Sequence, residues 1–124
     1  MSFFWNRFIS VTHALRGGAT MLKTQPNARL HLVATFGALA LGMAFQITFS
    51  EWVALSLAMA LVWIAESVNT AIEFLADEIT LERKELIGMA KDVAAFAVLT
   101  SAIFAVIIGF FVFAPYLFGL LRSS

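Results

Sequence analysis

Three apolar runs, each long enough to cross a bilayer, leave this sequence few folds. Residues 30–49 form a run of 20 whose polar members are His31, Thr35, Gln46 and Thr48. A spanning helix needs about 20 such residues at roughly 1.5 Å of rise each. Residues 52–72 give a second run, broken only by Glu66, Asn69 and small hydroxyls. The third covers residues 93–114 and ends before Pro115, a residue expected to disturb a helix. A chain of 124 residues that is 61% hydrophobic and only 13% charged has too little interior to hide this surface from water. The expectation is an all-α integral membrane protein with three transmembrane helices.

Upstream of the first run, Phe3, Phe4, Phe8, Val11, Leu15, Ala19 and Leu22 recur at helical spacing, with Arg7, Arg16 and Lys23 between them. This pattern predicts an amphipathic helix lying on the membrane surface over about residues 3–24. Gly17-Gly18 predicts a bend in it, and Pro26 marks the corner where the chain turns into the bilayer. The membrane helices are expected at about 29–49, 52–78 and 89–121, within a single domain over residues 1–124. No short apolar segment followed by a small-residue cleavage site opens the sequence, so no cleaved signal peptide is expected.

Arg7, Arg16, Lys23 and Arg29 precede the first run, and Arg83, Lys84 and Lys91 flank the connection between the second and third. The connection between the first two runs has no basic residue. Positive charge is retained on the cytoplasmic side, which puts the N-terminus and the second connection in the cytoplasm and the C-terminus outside. Trp52, Tyr116 and Phe118 then fall at the outer interface, where amphipathic rings are enriched.

Lys plus Arg equals Asp plus Glu at eight each, without the basic excess of a nucleic-acid binder, so nucleic acid is not an expected partner. The absence of cysteine excludes a disulfide framework, a thiolate nucleophile and a zinc ribbon. No Gly-x-x-x-x-Gly-Lys-Ser/Thr and no Gly-rich strand-to-helix loop is present, which excludes P-loop and protein-kinase nucleotide sites.

The chemistry lies in the second run and just beyond it. Glu66, Asn69, Glu73 and Asp77 are spaced by three, four and four residues, so at about 100° per residue they share an arc of roughly 80°. The stripe climbs about 16 Å, from the apolar run to the cytoplasmic end. An ionised acid at the depth of Glu66 costs about 2.5–3.5 kcal/mol even on lenient insertion scales, so it is expected to face protein, water or a cation. Lys91 and Asp92 open the third helix at the same mouth. Carboxylates beside a lysine supply what phosphoryl transfer requires: a base for the attacking hydroxyl, oxygen ligands for Mg²⁺, and positive charge on the phosphate. The alternative is a non-catalytic assembly or ion-path subunit, in which Glu66 hydrogen-bonds or titrates between helices.

The run Glu66-Ser-Val-Asn69-Thr-Ala-Ile-Glu73, then Asp77, then Ala90-Lys91-Asp92, resembles the signature of the prokaryotic diacylglycerol kinase family, which includes undecaprenol kinases. His13-Ala14-Leu15-Arg16-Gly17 and the segment from Gln25 through Asn27 to His31 are similar to the undecaprenol-type branch. The resemblance implies a homotrimeric membrane kinase that moves the γ-phosphate of ATP onto a lipid alcohol, undecaprenol or diacylglycerol, at the cytoplasmic face. By motif position it makes Glu66 the general base and Asn69 its support, and Glu73 a ligand of catalytic Mg²⁺. It puts Lys91 on phosphate, Asp92 toward the nucleoside, Glu82, Arg83 and Lys84 in the loop bordering the nucleotide, and Asp77 as a buttress. Gln25 stands where the family usually has a metal-binding glutamate, and an amide oxygen is the weaker ligand. Lys84 stands where relatives often carry histidine. Neither His13 nor His31 is assigned a catalytic role.

Overall fold

Gln25 and Pro26 divide the N-terminal segment from the first span in the computed structural model, which describes residues 2–124. Helix α1 runs Ser2–Thr24, α2 Pro26–Phe45, α3 Phe49–Ile79 and α4 Glu85–Ser123, with no strand among the described residues. Pro26 sits in the first turn of α2, where its missing N–H would have had no intrahelical partner. The Arg29 guanidinium reaches back to the carbonyls at the end of α1, with Nε donating to Leu22 O at 2.8 Å. That fixes the elbow between the two helices by satisfying carbonyls the α1 ladder leaves open.

The opposite end of α2 closes with Gln46 in the left-handed conformation at φ 50°. Ile47 N–H donates to Gly42 O, and Gln46 N–H to Met43 O. This paired closure satisfies the last carbonyls and reverses the chain within a few residues. A reciprocal cap then starts α3: Glu51 N–H donates to Thr48 Oγ1 at 3.3 Å, and Thr48 N–H donates to Glu51 Oε2 at 2.8 Å.

The main pairing is between α3 and α4, with α2 laid against both and α1 touching α2 and α3. The α3–α4 pair is antiparallel, since Lys91 meets Asp77 at one end while Tyr116 Oη donates to Glu51 Oε2 at the other. Ile47, Leu55, Val112 and Phe113 form the core at that second end, flanked by Phe45, Trp52 and Tyr116. Phe45 and Tyr116 stack with centroids 5.5 Å apart. At 31 residues α3 is about 46 Å long against a hydrocarbon core of about 30 Å, so part of it must project beyond the apolar layer.

Gly42 is buried because α2 approaches Trp52 there. A Cβ at Gly42 would lie 2.5 Å from Trp52 Cη2 and 2.8 Å from Cζ2, closer than side chains pack. Gly42→Ala must therefore push the indole out of its site, and thermal unfolding in detergent is expected to show a loss of about 1–3 kcal/mol.

Although the third apolar run ends before Pro115, α4 passes through that residue to Ser123. A proline removes one ladder bond, whereas unwinding the whole segment inside lipid would expose many, and surrounding apolar residues keep the helix the lesser penalty. α1 is helical through Gly17-Gly18. The two glycines border, with Ala14 and Thr20, a cleft of about 450 Å³ facing Ser67, Thr70 and Phe74 of α3.

Candidate active site

Because α3 is one uninterrupted helix from Phe49 to Ile79, the polar residues 66, 69, 73 and 77 stay on one ridge of it. Glu66 is the most deeply placed, 1% exposed, and the only fully buried large side chain among the described residues. Asn69 is buried, and Glu73 is half-buried. Asp77 is exposed at the end of the helix.

A cleft of about 300 Å³ runs along the upper part of this ridge, lined by Glu73, Asn69, Asn27 and His31 together with apolar residues of α4. The Oδ1 of Asn69 is buried and has no hydrogen-bond partner. Glu73 is in no ion pair among the described residues. A second cleft of about 290 Å³ lies at the mouth, lined by Glu73, Glu82, Arg83, Gly88, Lys91 and Asp92. Glu73 borders both, so a ligand filling the two would pass its carboxylate.

The mouth is built by the connection between α3 and α4 and the first turns of α4. Lys91 Nζ donates to Asp77 Oδ1 at 2.8 Å, closing the connection across 14 residues. Arg83 donates to Asp92 Oδ2 at 3.1 Å. Both pairs are substantially exposed, so each contributes at most about 1 kcal/mol to stability and can rearrange around an anion. Gly88 keeps the Arg83 side chain close to α4, its Cβ direction being 3.4 Å from Arg83 Nε.

The structure thus brings Glu73, Glu82, Arg83, Lys91 and Asp92 to one cleft, with Asp77 bonded to Lys91 at its edge. Asn69 and Glu73 share the deeper cleft, below which Glu66 is buried. Lys84, the residue preceding α4, lines neither cleft. Gln25 also lines neither, and its amide Nε2 lies 3.4 Å from Thr24 Oγ1.

One neighbour of the acid had no counterpart in the sequence reading. His31 Nε2 is 3.5 Å from Glu66 Oε2, and both atoms are buried without a hydrogen-bond partner. Helical spacing relates residues of one helix only, so it could not pair α2 with α3. The available signal was local: Asn27 and His31, polar and four residues apart, open the first span on a shared face.

With this geometry in view, comparison with known proteins identifies the fold and chemistry class. Residues 12–113 match the family model described as prokaryotic diacylglycerol kinase. The undecaprenol kinase of Bacillus subtilis (strain 168) is 36% identical over 111 residues, covering 89% of this chain and 90% of that protein. A diacylglycerol kinase of Synechocystis is 38% identical over 120 residues, covering 94% of this chain and 67% of that protein. A diacylglycerol kinase of Sinorhizobium is 33% identical over 92 residues, covering 74% of this chain and 66% of that protein. The chain belongs to the prokaryotic diacylglycerol kinase family and is an integral-membrane lipid kinase.

Proposed function

We propose that this protein transfers the γ-phosphate of ATP to the hydroxyl of a membrane lipid alcohol, with undecaprenol favoured over diacylglycerol. The observation that carries the reading is the polar ridge of α3 from buried Glu66 through Asn69 to Glu73, which borders two clefts, the outer one lined by Arg83 and Lys91. A lone acid serving only helix assembly has no use for two polar clefts and basic groups in series with it. The preference for undecaprenol is supported by the near full-length relative of that name and by the residues from His13 to His31.

Glu66 accepts the proton of the lipid hydroxyl as its oxygen attacks the γ-phosphorus. Its burial serves this role, because excluded water strengthens every electrostatic contact of the developing alkoxide. Asn69, one turn along the ridge, orients the base and the phosphate beside it. Lys91 and Arg83 turn from their acidic partners to the triphosphate, and Asp92 and Glu82 border the nucleoside. Asp77 holds Lys91 at the mouth until the anion arrives. Lys84 completes the nucleotide loop, whereas Gln25, which lines neither cleft, is not assigned as a metal ligand.

The deeper cleft fits Mg²⁺. Asn69 Oδ1 is a buried acceptor without a partner, and it shares the cleft with the carboxylate of Glu73. No group of three or more acidic, His or Cys side chains that could hold a metal occurs among the described residues. That donor set suits Mg²⁺, which is held by one or two carboxylates plus substrate phosphates rather than by a protein cage. When bound, the ion would neutralise phosphate charge as the bond to the leaving group breaks.

The distribution of Lys and Arg supports a cytoplasmic N-terminus and mouth, and an external C-terminus, in the bacterial plasma membrane. The assembly proposed is a homotrimer, with parts of the site supplied by neighbouring copies. Incubating the purified protein in mixed micelles with ATP, Mg²⁺ and either undecaprenol or diacylglycerol is expected to yield a phosphorylated lipid, faster with undecaprenol. No phosphorylated lipid from either alcohol overturns the kinase reading in favour of a non-catalytic assembly or ion-path subunit. A faster rate with diacylglycerol overturns the substrate preference alone. Sedimentation of the same preparation at a mass other than three chains overturns the trimer.

A further inference from the structure

Two buried polar atoms that face each other at 3.5 Å, each without another partner, are an unusual arrangement in a bundle this apolar. A buried polar group left unsatisfied costs about 1–3 kcal/mol, so such a pair persists where a function uses it. We infer that His31 is the positioning residue for Glu66: its Nε2–H donates to Oε2, fixing the carboxylate so that Oε1 faces the lipid hydroxyl. This inference rests on the proposed role of Glu66 as the base.

The placement of His31 is itself determined one turn away. Thr35 Oγ1 donates to His31 O at 2.7 Å and accepts from Trp63 Nε1 at 3.0 Å. Thr35 follows His31 by four residues on α2, and Trp63 precedes Glu66 by three on α3, so the two contacts are adjacent rungs between the same helices. The Trp63–Thr35 rung sets the register of α2 against α3, and that register puts the imidazole opposite the acid. His31 also lines the polar cleft with Asn69 and Glu73 on one side and an apolar groove with Ala34, Ala38 and Phe113 on the other. It therefore stands at the boundary a lipid hydroxyl must reach.

A separation of 3.5 Å is longer than the about 2.7–2.9 Å of a charge-assisted hydrogen bond. Catalytic contacts are often long in the unliganded state and shorten when substrate closes the site. In the step itself, the lipid O–H proton passes to Glu66 Oε1 while the lipid oxygen forms its bond to the γ-phosphorus. The bond from that phosphorus to the bridging oxygen breaks, and its electron pair leaves with ADP. The proton on His31 Nε2 does not transfer; it holds Oε2 throughout.

The chain contains only two histidines, His13 and His31, so His13→Gln leaves a single imidazole to observe. In ¹⁵N-histidine-labelled protein of that background, Nε2 is expected to carry a proton, and Glu66→Gln is expected to move its resonance. A deprotonated Nε2, or a resonance unchanged by Glu66→Gln, overturns the inference without any reference to activity. In the lipid kinase assay, His31→Leu is expected to lower kcat about 10- to 100-fold with KM for ATP changed little. His31→Gln, which keeps a donor at that position, is expected to restore most of the rate. Equal rates for His31→Leu and the parent overturn the positioning role, and so does an equally low rate for both variants. The reading of Glu66 as base fails separately, if Glu66→Gln still turns over.

Discussion

Glu66→Gln is expected to lower lipid phosphorylation by about 10²- to 10⁴-fold, the share a positioned general base contributes. The substitution preserves the volume and most of the polarity of a side chain that is 1% exposed, so the helices should remain packed. It also removes a buried carboxylate from the membrane interior, and burying an amide there is less unfavourable than burying a charge. The unfolding midpoint in detergent is therefore expected to stay level or rise while activity falls. This opposition separates the two uses of an intramembrane acid. If Glu66 only joined helices, turnover in Glu66→Gln would stay in proportion to folded protein. Retained turnover with labelled ATP removes Glu66 as the base.

The second large effect belongs to Glu73. It borders both the deep and the mouth clefts and is in no ion pair among the described residues, which leaves its carboxylate available to a cation carried in by the triphosphate. Glu73→Gln is expected to raise the Mg²⁺ concentration for half-maximal activity by about 10- to 100-fold, the range for loss of a supporting group at a metal. Since Gln25 already offers an amide where the resemblance places a carboxylate, little compensation is available. Lys91→Met gives the contrast: it should raise KM for ATP and leave the Mg²⁺ midpoint in place. An unchanged Mg²⁺ titration in Glu73→Gln overturns its role as a ligand, whatever the maximal rate becomes.

The number of spans, their helical class and the polar ridge on α3 were legible because each is a property of consecutive residues. Apolar length reports a span, and the spacings between Glu66, Asn69, Glu73 and Asp77 report a shared face, whichever neighbours they meet. Pro115 reads as a disturbance by local rules, yet lipid makes breaking the helix worse than carrying a proline, and α4 runs through it to Ser123. At Gly17-Gly18 α1 stays helical, and the missing side chains border a cleft against α3, which no local rule reports.

By itself the sequence determined that this chain enters a membrane as helices and brings a buried acid on a ridge leading to a basic mouth. Tertiary structure alone decided what that acid faces. The pairing of His31 with Glu66, the ion pairs Lys91–Asp77 and Arg83–Asp92, and the seat of Trp52 over Gly42 all join different segments of the chain. Such pairings depend on the register and crossing of helices, which packing and capping fix together. Periodicity along one helix carries no information about the rotation of the next.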